Sequence, residues 1–225
     1  MTTQTLGEEG FRWFVGYVED RNDPLKQGRV RVRALNVHGN SVETPTRDLP
    51  WASILMPGYS SSLKHVGVSA TGIQVGSTVF GFFMDGNETL LPVIIGVLPG
   101  KDDISQLAQG TQSINKEIIE PEPASAYRAA YPYNKVFQSE SGHVVEIDDT
   151  PNHERLHTYH RSGTYTEIDE TGRRVQKIVG DDYEIVVKNK TVHIRGNVSI
   201  KVDGTYTVES SGNMLFKAPR IDFNP

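Results

Sequence analysis

Hydrophobic residues in the first hundred positions fall into short runs, rich in β-branched and aromatic side chains, that are separated by turn sequences. The run from Arg29 to Leu35 alternates strictly for several residues, so Val30 and Val32 face one way and the three arginines face the other. Short runs of this kind, bounded by Asn, Asp, Pro and Gly, are typical of β-strands. They occur at positions 11–18, 29–35, 51–55, 78–84 and 93–97. This pattern predicts a small closed barrel of the OB-fold type over residues 11–99.

Residues 100–130 are polar and end on alternating glutamate and proline, so we predict a linker there. Proline cannot donate to a β-ladder and favours an extended chain. Three carboxylates in this stretch, Glu117, Glu120 and Glu122, are interpreted as solvated groups rather than an acid–base pair. Residues 131–177 contain less regular strands that lead into the next segment, among them Thr164–Ile168 followed by a turn at Glu170–Gly172.

From Ile178 onwards the sequence repeats every eight residues, over the range 178–225. A period of this kind is a strong fold signal. The first position of each block is apolar in Ile178, Val186, Ile194 and Val202, and the seventh in Val192, Ile200, Val208 and Phe216. The third position is glycine at Gly180, Gly196, Gly204 and Gly212.

Each block has the length of one short strand and a corner. We expect the glycines to form the corners with a positive φ, which glycine adopts without steric cost. A single strand of this length buries almost nothing and leaves both edges unpaired. Three copies wound about one axis would bury the apolar positions and remove the exposed edges. The sequence therefore predicts an all-β protein whose segment 178–225 forms an intertwined triple-stranded β-helix in a homotrimer. The alternative, an ordinary meander in a sandwich, has no need of a constant step.

Composition narrows the range of functions. The chain has 225 residues, a net charge of −5 and no cysteine, which excludes disulfides and thiolate metal sites. An acidic balance disfavours nucleic-acid binding, for which a basic balance is usual. The stripe of Arg29, Arg31 and Arg33 leaves three alternatives open: binding of single-stranded nucleic acid, contact with a hub protein or a neighbouring subunit, and a solvated strand face.

Three histidines, His153, His157 and His160, lie close together in the sequence. Histidine is a common metal ligand, but in a strand His157 and His160 fall on opposite faces. We therefore predict hydrogen-bonded or solvated histidines and no metal ion or cofactor. Residues 1–10 are acidic, lack an apolar core and are expected to be a flexible N-terminus rather than a signal peptide. No apolar run approaches the length of about 18 residues that a membrane-spanning helix needs.

The sequence resembles the central spike proteins of contractile-tailed phages, the family of the T-even tail-associated lysozyme spike, which is related to the spike part of type VI secretion VgrG proteins. The matching segments are Trp13–Gly16, Val18–Arg21, Asp23–Lys26, Gly28–Arg33, Leu49–Trp51, Ser139–His143, Asp148–Pro151, Glu154–Arg155 and Gly163–Tyr165.

This resemblance implies a virion protein, made in the host cytoplasm, whose barrel binds a separate trimeric baseplate hub. The needle would pierce the host envelope mechanically, with transient membrane contact. A lysozyme domain lies between barrel and shaft in the T-even protein, whereas this chain has only the linker there, so the resemblance implies no enzymatic activity. The C-terminal segment lacks the histidines of an apical iron site, which suggests that Ile221 and Phe223 contact a separate PAAR-like tip protein. A type VI secretion spike is the alternative, disfavoured because no hub-like region fits in 225 residues.

Overall fold

A computed structural model describes residues 11–100, 103–113 and 123–223, without the side chains of residues 112 and 113. The chain divides into two compact units, the first extending to Asp181 and the second beginning at Asp182. Residues 1–10 and the carboxylates Glu117, Glu120 and Glu122 lie outside the described residues. Within the described residues, no helix has the length and apolar character that a membrane span requires.

A closed five-stranded barrel forms the first part of the chain, in the strand order β1-β2-β3-β5-β4. All neighbouring strands are antiparallel except β3 and β5, which run parallel. This architecture confirms the predicted barrel, and each predicted run corresponds to one strand. The strands are β1 (Arg12–Asp20), β2 (Val30–Ala34), β3 (Trp51–Ile54), β4 (Thr78–Phe83) and β5 (Pro92–Leu98).

The barrel interior follows from the alternation seen in the sequence. Val30, Val32 and Ala34 of β2 are buried, while the intervening arginines are half-buried on the other side. Phe14 of β1 and Phe83 of β4 complete the centre of the core. Gly81 lies beside the ring of Phe14, and this position requires glycine. An added Cβ would come within 2.1 Å of the backbone oxygen of Val93, which is too close for any side chain.

A second sheet follows, a meander of five antiparallel strands in the order β10-β9-β8-β7-β6. Its hairpin turns contain Gly142, Gly163 and Gly172, whose φ values of 87°, 96° and 81° suit glycine. In β7 and β8 alternate residues are fully buried and exposed, so the sheet has one covered face and one open face. The strands are β6 (Asn134–Gln138), β7 (Val144–Asp148), β8 (Arg155–Tyr159), β9 (Tyr165–Ile168) and β10 (Arg174–Lys177).

The described parts of the predicted linker differ from a solvated extended chain. They contain a short helix α1 (Asp103–Leu107) and a 3-10 turn at Gly110–Ser113. Asn134 donates a hydrogen bond to the backbone oxygen of Ala108, and the backbone N–H of Ala130 donates to Thr150. The linker thus packs against the second sheet, because polar side chains of that sheet satisfy its backbone groups.

The octad segment, residues 178–223, contains no strand among the residues that are described. The chain is extended and bends at every eighth residue, at positions 179–180, 187–188, 195–196, 203–204 and 211–212. These bends lie where the repeat predicts corners. The predicted positive φ is wrong, however, because none of Gly180, Gly196, Gly204 and Gly212 has a left-handed φ. Since the bend needs no left-handed residue, Lys188 occupies the same position in the second block.

Candidate assembly surfaces

The apolar positions of the octad segment are exposed in the single chain. The eight side chains predicted to face a trimer axis are between 36% and 66% exposed, with Ile178 the least and Ile200 the most exposed. Neither hydrophobic core cluster contains any of them. The full set is Ile178, Val186, Val192, Ile194, Ile200, Val202, Val208 and Phe216. These residues have the apolar side chains of a hydrophobic core, but they do not form a core in the single chain.

A third apolar position, the fifth of each block, was missed in the sequence interpretation. It holds Val198, Tyr206 and Met214 in successive blocks. Alternate residues of an extended chain point to the same side, so the first, fifth and seventh positions share one side of each block. Ile185 and Leu215, on the opposite side, are more exposed, at 85% and 83%. The sequence contained this information, because the apolar residues alternate with polar residues within the later eight-residue blocks.

The open face of the second sheet, called here the outer face, is also apolar. Ile147, Leu156 and Ile168 are direct cross-strand partners on β7, β8 and β9. Phe137 and Val145 pair in the next parallel row. Phe137 is 71% exposed and Leu156 51% exposed. An exposed apolar patch of this kind marks an interaction surface.

The covered face, called here the inner face, carries a buried charge network instead of an apolar core. Arg155 donates one hydrogen bond to Glu167 over 3.0 Å and another to Glu146, and all three side chains are at most 2% exposed. His157 is equally buried, with Nδ1 3.5 Å from Glu146 Oε2. The guanidinium also lies over the ring of Tyr127, 5.1 Å from its centroid.

This network holds the linker on the sheet. Glu146 accepts hydrogen bonds from the backbone N–H and the hydroxyl of Thr111. Glu167 accepts them from the hydroxyl of Ser125 (2.7 Å) and the backbone N–H of Ala126 (3.0 Å). Both linker segments therefore meet at the one arginine that bridges the two carboxylates.

The pKa values of Glu146 and Glu167 follow from these contacts. Burial raises the pKa of both carboxylates, but favourable contacts outweigh it. At Glu146 these contacts are with His157, Arg155 and the backbone N–H of Thr111. At Glu167 they are with Ser125, the backbone N–H of Ala126 and Arg155. Both pKa values are therefore below the ordinary value of 4.5. Carboxylates with lowered pKa values stabilise the fold above their unfolded pKa, and this stabilisation disappears as pH falls through the folded value.

We therefore expect the free energy of unfolding of the second sheet to be constant near neutral pH and to fall below about pH 4.5, where the unfolded carboxylates begin to protonate. Chemical unfolding followed by circular dichroism between pH 3 and pH 7 measures this dependence. A Glu146→Gln, Glu167→Gln double variant serves as the control, and its acid dependence should be weaker. An equal acid dependence in both proteins would contradict the assignment.

The arginine stripe of the barrel is engaged in internal contacts. Arg29 forms a two-point pair with Asp23, and Arg33 forms one with Glu19, with shortest distances of 2.7 Å and 2.5 Å. Arg31 donates to the backbone oxygen of Leu49 and stacks on the ring of Trp51. The hydrogen bonds from these arginines lower the pKa values of Asp23 and Glu19. This geometry favours a structural role and weighs against a phosphate-binding face, while a contact with a hub or subunit stays a prediction.

The three histidines do not converge on one point. His157 lies on the inner face, whereas His160 is exposed, lies beside the ring of His143 and forms a hydrogen bond with Ser162. Within the described part of the chain, no group of histidines and carboxylates is arranged to hold a metal ion. At the C-terminus of that part, Ile221 is 47% exposed and Phe223 81% exposed, so both are available for the contacts predicted there.

A closed OB-type barrel, a second antiparallel sheet and an exposed eight-residue repeat define an all-β protein. A family model described as the Gp5 N-terminal OB domain matches residues 33–121. The chain is 34% identical to the protein Gp5 of Vibrio phage KVP40 over 284 residues, which covers 93% of this chain and 67% of that protein. It is also 47% identical over 79 residues to the pre-baseplate central spike protein Gp5 of Enterobacteria phage T4, 32% of this chain and 14% of that protein.

The chain therefore belongs to the Gp5 family of phage baseplate central spike proteins. This membership confirms the family indicated by the sequence motifs, and it places the chain in the tail baseplate of the virion.

Proposed function

We propose that the chain is a mechanical puncturing spike, a homotrimer whose octad segments wind into a triple-stranded β-helix. One observation carries this proposal: the octad segment is extended and regularly bent, yet its described residues have neither internal strand pairing nor a core. Unpaired backbone groups and exposed apolar side chains call for a partner that supplies both. Two further copies of the same chain would supply strand partners and apolar contacts together. Because the repeats of the three copies are identical, every block would lie beside an equivalent block.

The hydrophobic contribution is large enough to drive such an assembly. Burial of a valine, isoleucine or phenylalanine side chain contributes about 1.5–3 kcal/mol. Each chain offers eight such residues in the first and seventh positions and three more apolar side chains in the fifth. Strand pairing between copies would also satisfy the backbone groups along the whole segment, which gives a stiff shaft without free edges.

The outer face of the second sheet belongs to the same proposed interface. It precedes the octad segment directly in the chain, and its apolar row has the exposure expected of a surface that is covered on assembly. The inner face is already covered by the linker. Three outer faces in contact with one another would form a further buried apolar surface.

Leu156→Asp tests this part of the interface. A carboxylate at the centre of the apolar row would be desolvated in each of three copies, which costs several kcal/mol. We expect the concentration at which the assembly dissociates to rise by at least about tenfold, since each 1.4 kcal/mol is a factor of ten. Sedimentation velocity over a dilution series measures this concentration.

Ser141→Asp, at the exposed turn between β6 and β7, is the matched control and should leave dissociation unchanged. If Leu156→Asp dissociated at the same concentration as the control, the outer face would lie outside the interface.

The partners of the spike are proposed from the family and the exposed surfaces. The barrel would bind a separate trimeric hub protein, and Ile221 with Phe223 would contact a PAAR-like tip protein that first meets the host envelope. The exposure of both side chains supports the second contact.

We further propose that piercing involves no cutting of the cell wall. The span aligned with the Vibrio phage protein, 284 residues, exceeds the 225 residues of this chain, so that relative has at least 59 residues there without a counterpart. The match to the T4 protein covers 14% of that protein. In a zymogram with embedded peptidoglycan, we expect no cleared band from this chain beside a lysozyme standard. A cleared band at the mass of the chain would contradict the proposal.

A further inference from the structure

The loop between β3 and β4, positions 55–77, is far longer than a barrel connection requires. Loops above about 12–15 residues without regular structure are uncommon in compact domains and usually functional. This loop exposes several large apolar side chains, among them Tyr59 at 85%, Leu63 at 64% and Val66 at 63%. Its fold therefore presents these apolar groups to the outside, while Ile73 of the same loop packs against the barrel core.

The tip of the loop has an unusual backbone. Ser62, Lys64 and His65 have φ values of 47°, 51° and 65°, in the left-handed region that residues with a side chain seldom adopt. Local hydrogen bonds hold this shape, from the backbone N–H of Val66 to Leu63 (3.0 Å) and from that of Val68 to Ser60 (2.9 Å). Concentrated backbone strain of this kind is typical of binding loops.

A cavity of about 670 Å³ lies between the loop and β3. Ile54, Met56 and Val66 provide an apolar lining, and Lys26 and His65 provide polar groups at its wall. Neither aspartate nor glutamate lines the cavity. The volume suits an inserted peptide segment, since ligand pockets of 300–1,000 Å³ are usual.

The charge of this surface opposes that of the whole chain. Positions 55–77 contain no carboxylate, although the protein has a net charge of −5. Among the described residues, Lys26 and Lys64 form no ion pair, whereas the barrel arginines Arg29 and Arg33 are both paired. Lys26 lines the cavity and Lys64 neighbours its lining residue His65, so two cations without an ion-pair partner among the described residues lie at a cavity that also has apolar side chains in its lining. Such a surface is complementary to an apolar segment flanked by carboxylates.

We propose that the loop 55–77 and its cavity bind an apolar segment, flanked by aspartate or glutamate, of another baseplate protein. The inference rests on the proposed role as a baseplate spike, and it names the surface and the chemistry by which the barrel binds its neighbour.

Site-specific cross-linking in assembled tails tests it. The photoreactive residue p-benzoylphenylalanine replaces Tyr59 in the full chain, and in a control chain it replaces Val42, which is 89% exposed in another loop of the barrel. We expect Tyr59 to cross-link to a different baseplate protein at a segment with Asp or Glu beside apolar residues, with at least fivefold higher yield than Val42. Lys64→Glu should lower the Tyr59 yield at least fivefold, while Arg47→Glu, an exposed charge outside the loop, should not.

Three results would overturn the proposal: equal yields at Tyr59 and Val42, cross-links to a second copy of this chain or to a segment without carboxylates, or a yield that Lys64→Glu does not change. The sedimentation mass of the Lys64→Glu chain is measured in parallel. A wild-type chain that fails to trimerise would contradict the proposed shaft, whereas a Lys64→Glu chain that keeps the wild-type mass but loses the cross-link reports on the loop alone.

Discussion

Ile200→Asp should abolish assembly of the spike. Ile200 occupies the seventh position of its block and is 66% exposed in the single chain. In the proposed trimer three copies of this side chain meet near the axis, so the substitution would place three carboxylates together in an apolar core. Desolvation and mutual repulsion would each cost several kcal/mol. We expect sedimentation velocity to show single chains of 25.0 kDa at micromolar concentration.

Ser199→Asp provides a control one residue away, because neighbouring residues of an extended segment point to opposite sides. This variant introduces the same charge on the outside and should retain the mass and stability of the wild type. A trimer of unchanged stability for Ile200→Asp would show that the seventh position does not face the axis.

Arg155→Met should release the linker from the second sheet. It removes the cation that bridges Glu146 and Glu167 and leaves two carboxylates buried, both at most 2% exposed. Removal of one partner from a buried ion pair typically costs about 3–5 kcal/mol. Hydrogen exchange by mass spectrometry, read at the amides of Thr111 and Ala126, should show exchange at least about 100-fold faster, since 1.4 kcal/mol corresponds to a factor of ten.

Lys135→Met is the matched control. Lys135 pairs with Asp149, but its side chain is 68% exposed, and exposed ion pairs contribute at most about 1 kcal/mol. We expect little change in exchange at the same amides. If Arg155→Met and Lys135→Met gave similar protection, the buried network would not be what holds the linker.

The barrel could be predicted from sequence because its information is local. Period-two runs between turn sequences specify each strand, and a closed barrel buries one side of every strand, as with Val30 and Val32. The sequence left the role of the arginine stripe open, because alternation gives the direction of a side chain but not its partner. Their partners, Glu19 and Asp23, lie on the neighbouring strand and in the connecting turn.

The second sheet could not be assigned in the same way. Its inner face carries four polar or charged residues, a composition that in a sequence indicates a solvated face: Glu146, Arg155, His157 and Glu167. Its outer face is apolar, a composition that in a sequence indicates a buried core. The inversion arises because the polar face is covered by the linker and satisfied by its backbone groups. Side-chain polarity alone does not reveal which face the chain itself covers.

In the octad segment the sequence predicts the positions of the corners but not their backbone conformation. Its corners lie where the repeat predicts them, because the period fixes their positions whatever their conformation. The conformation was predicted wrongly, since glycine at a corner suggested a positive φ that the bends do not need. The fifth position was missed because its apolar side chains begin only with Val198.

The central claim is that three copies of this chain complete one another, and the mass of the wild-type protein in solution tests it most directly. Sedimentation equilibrium of the full chain should give about 75 kDa, three times the chain mass of 25.0 kDa, independent of concentration in the micromolar range. A mass of 25.0 kDa for a folded chain would contradict the account.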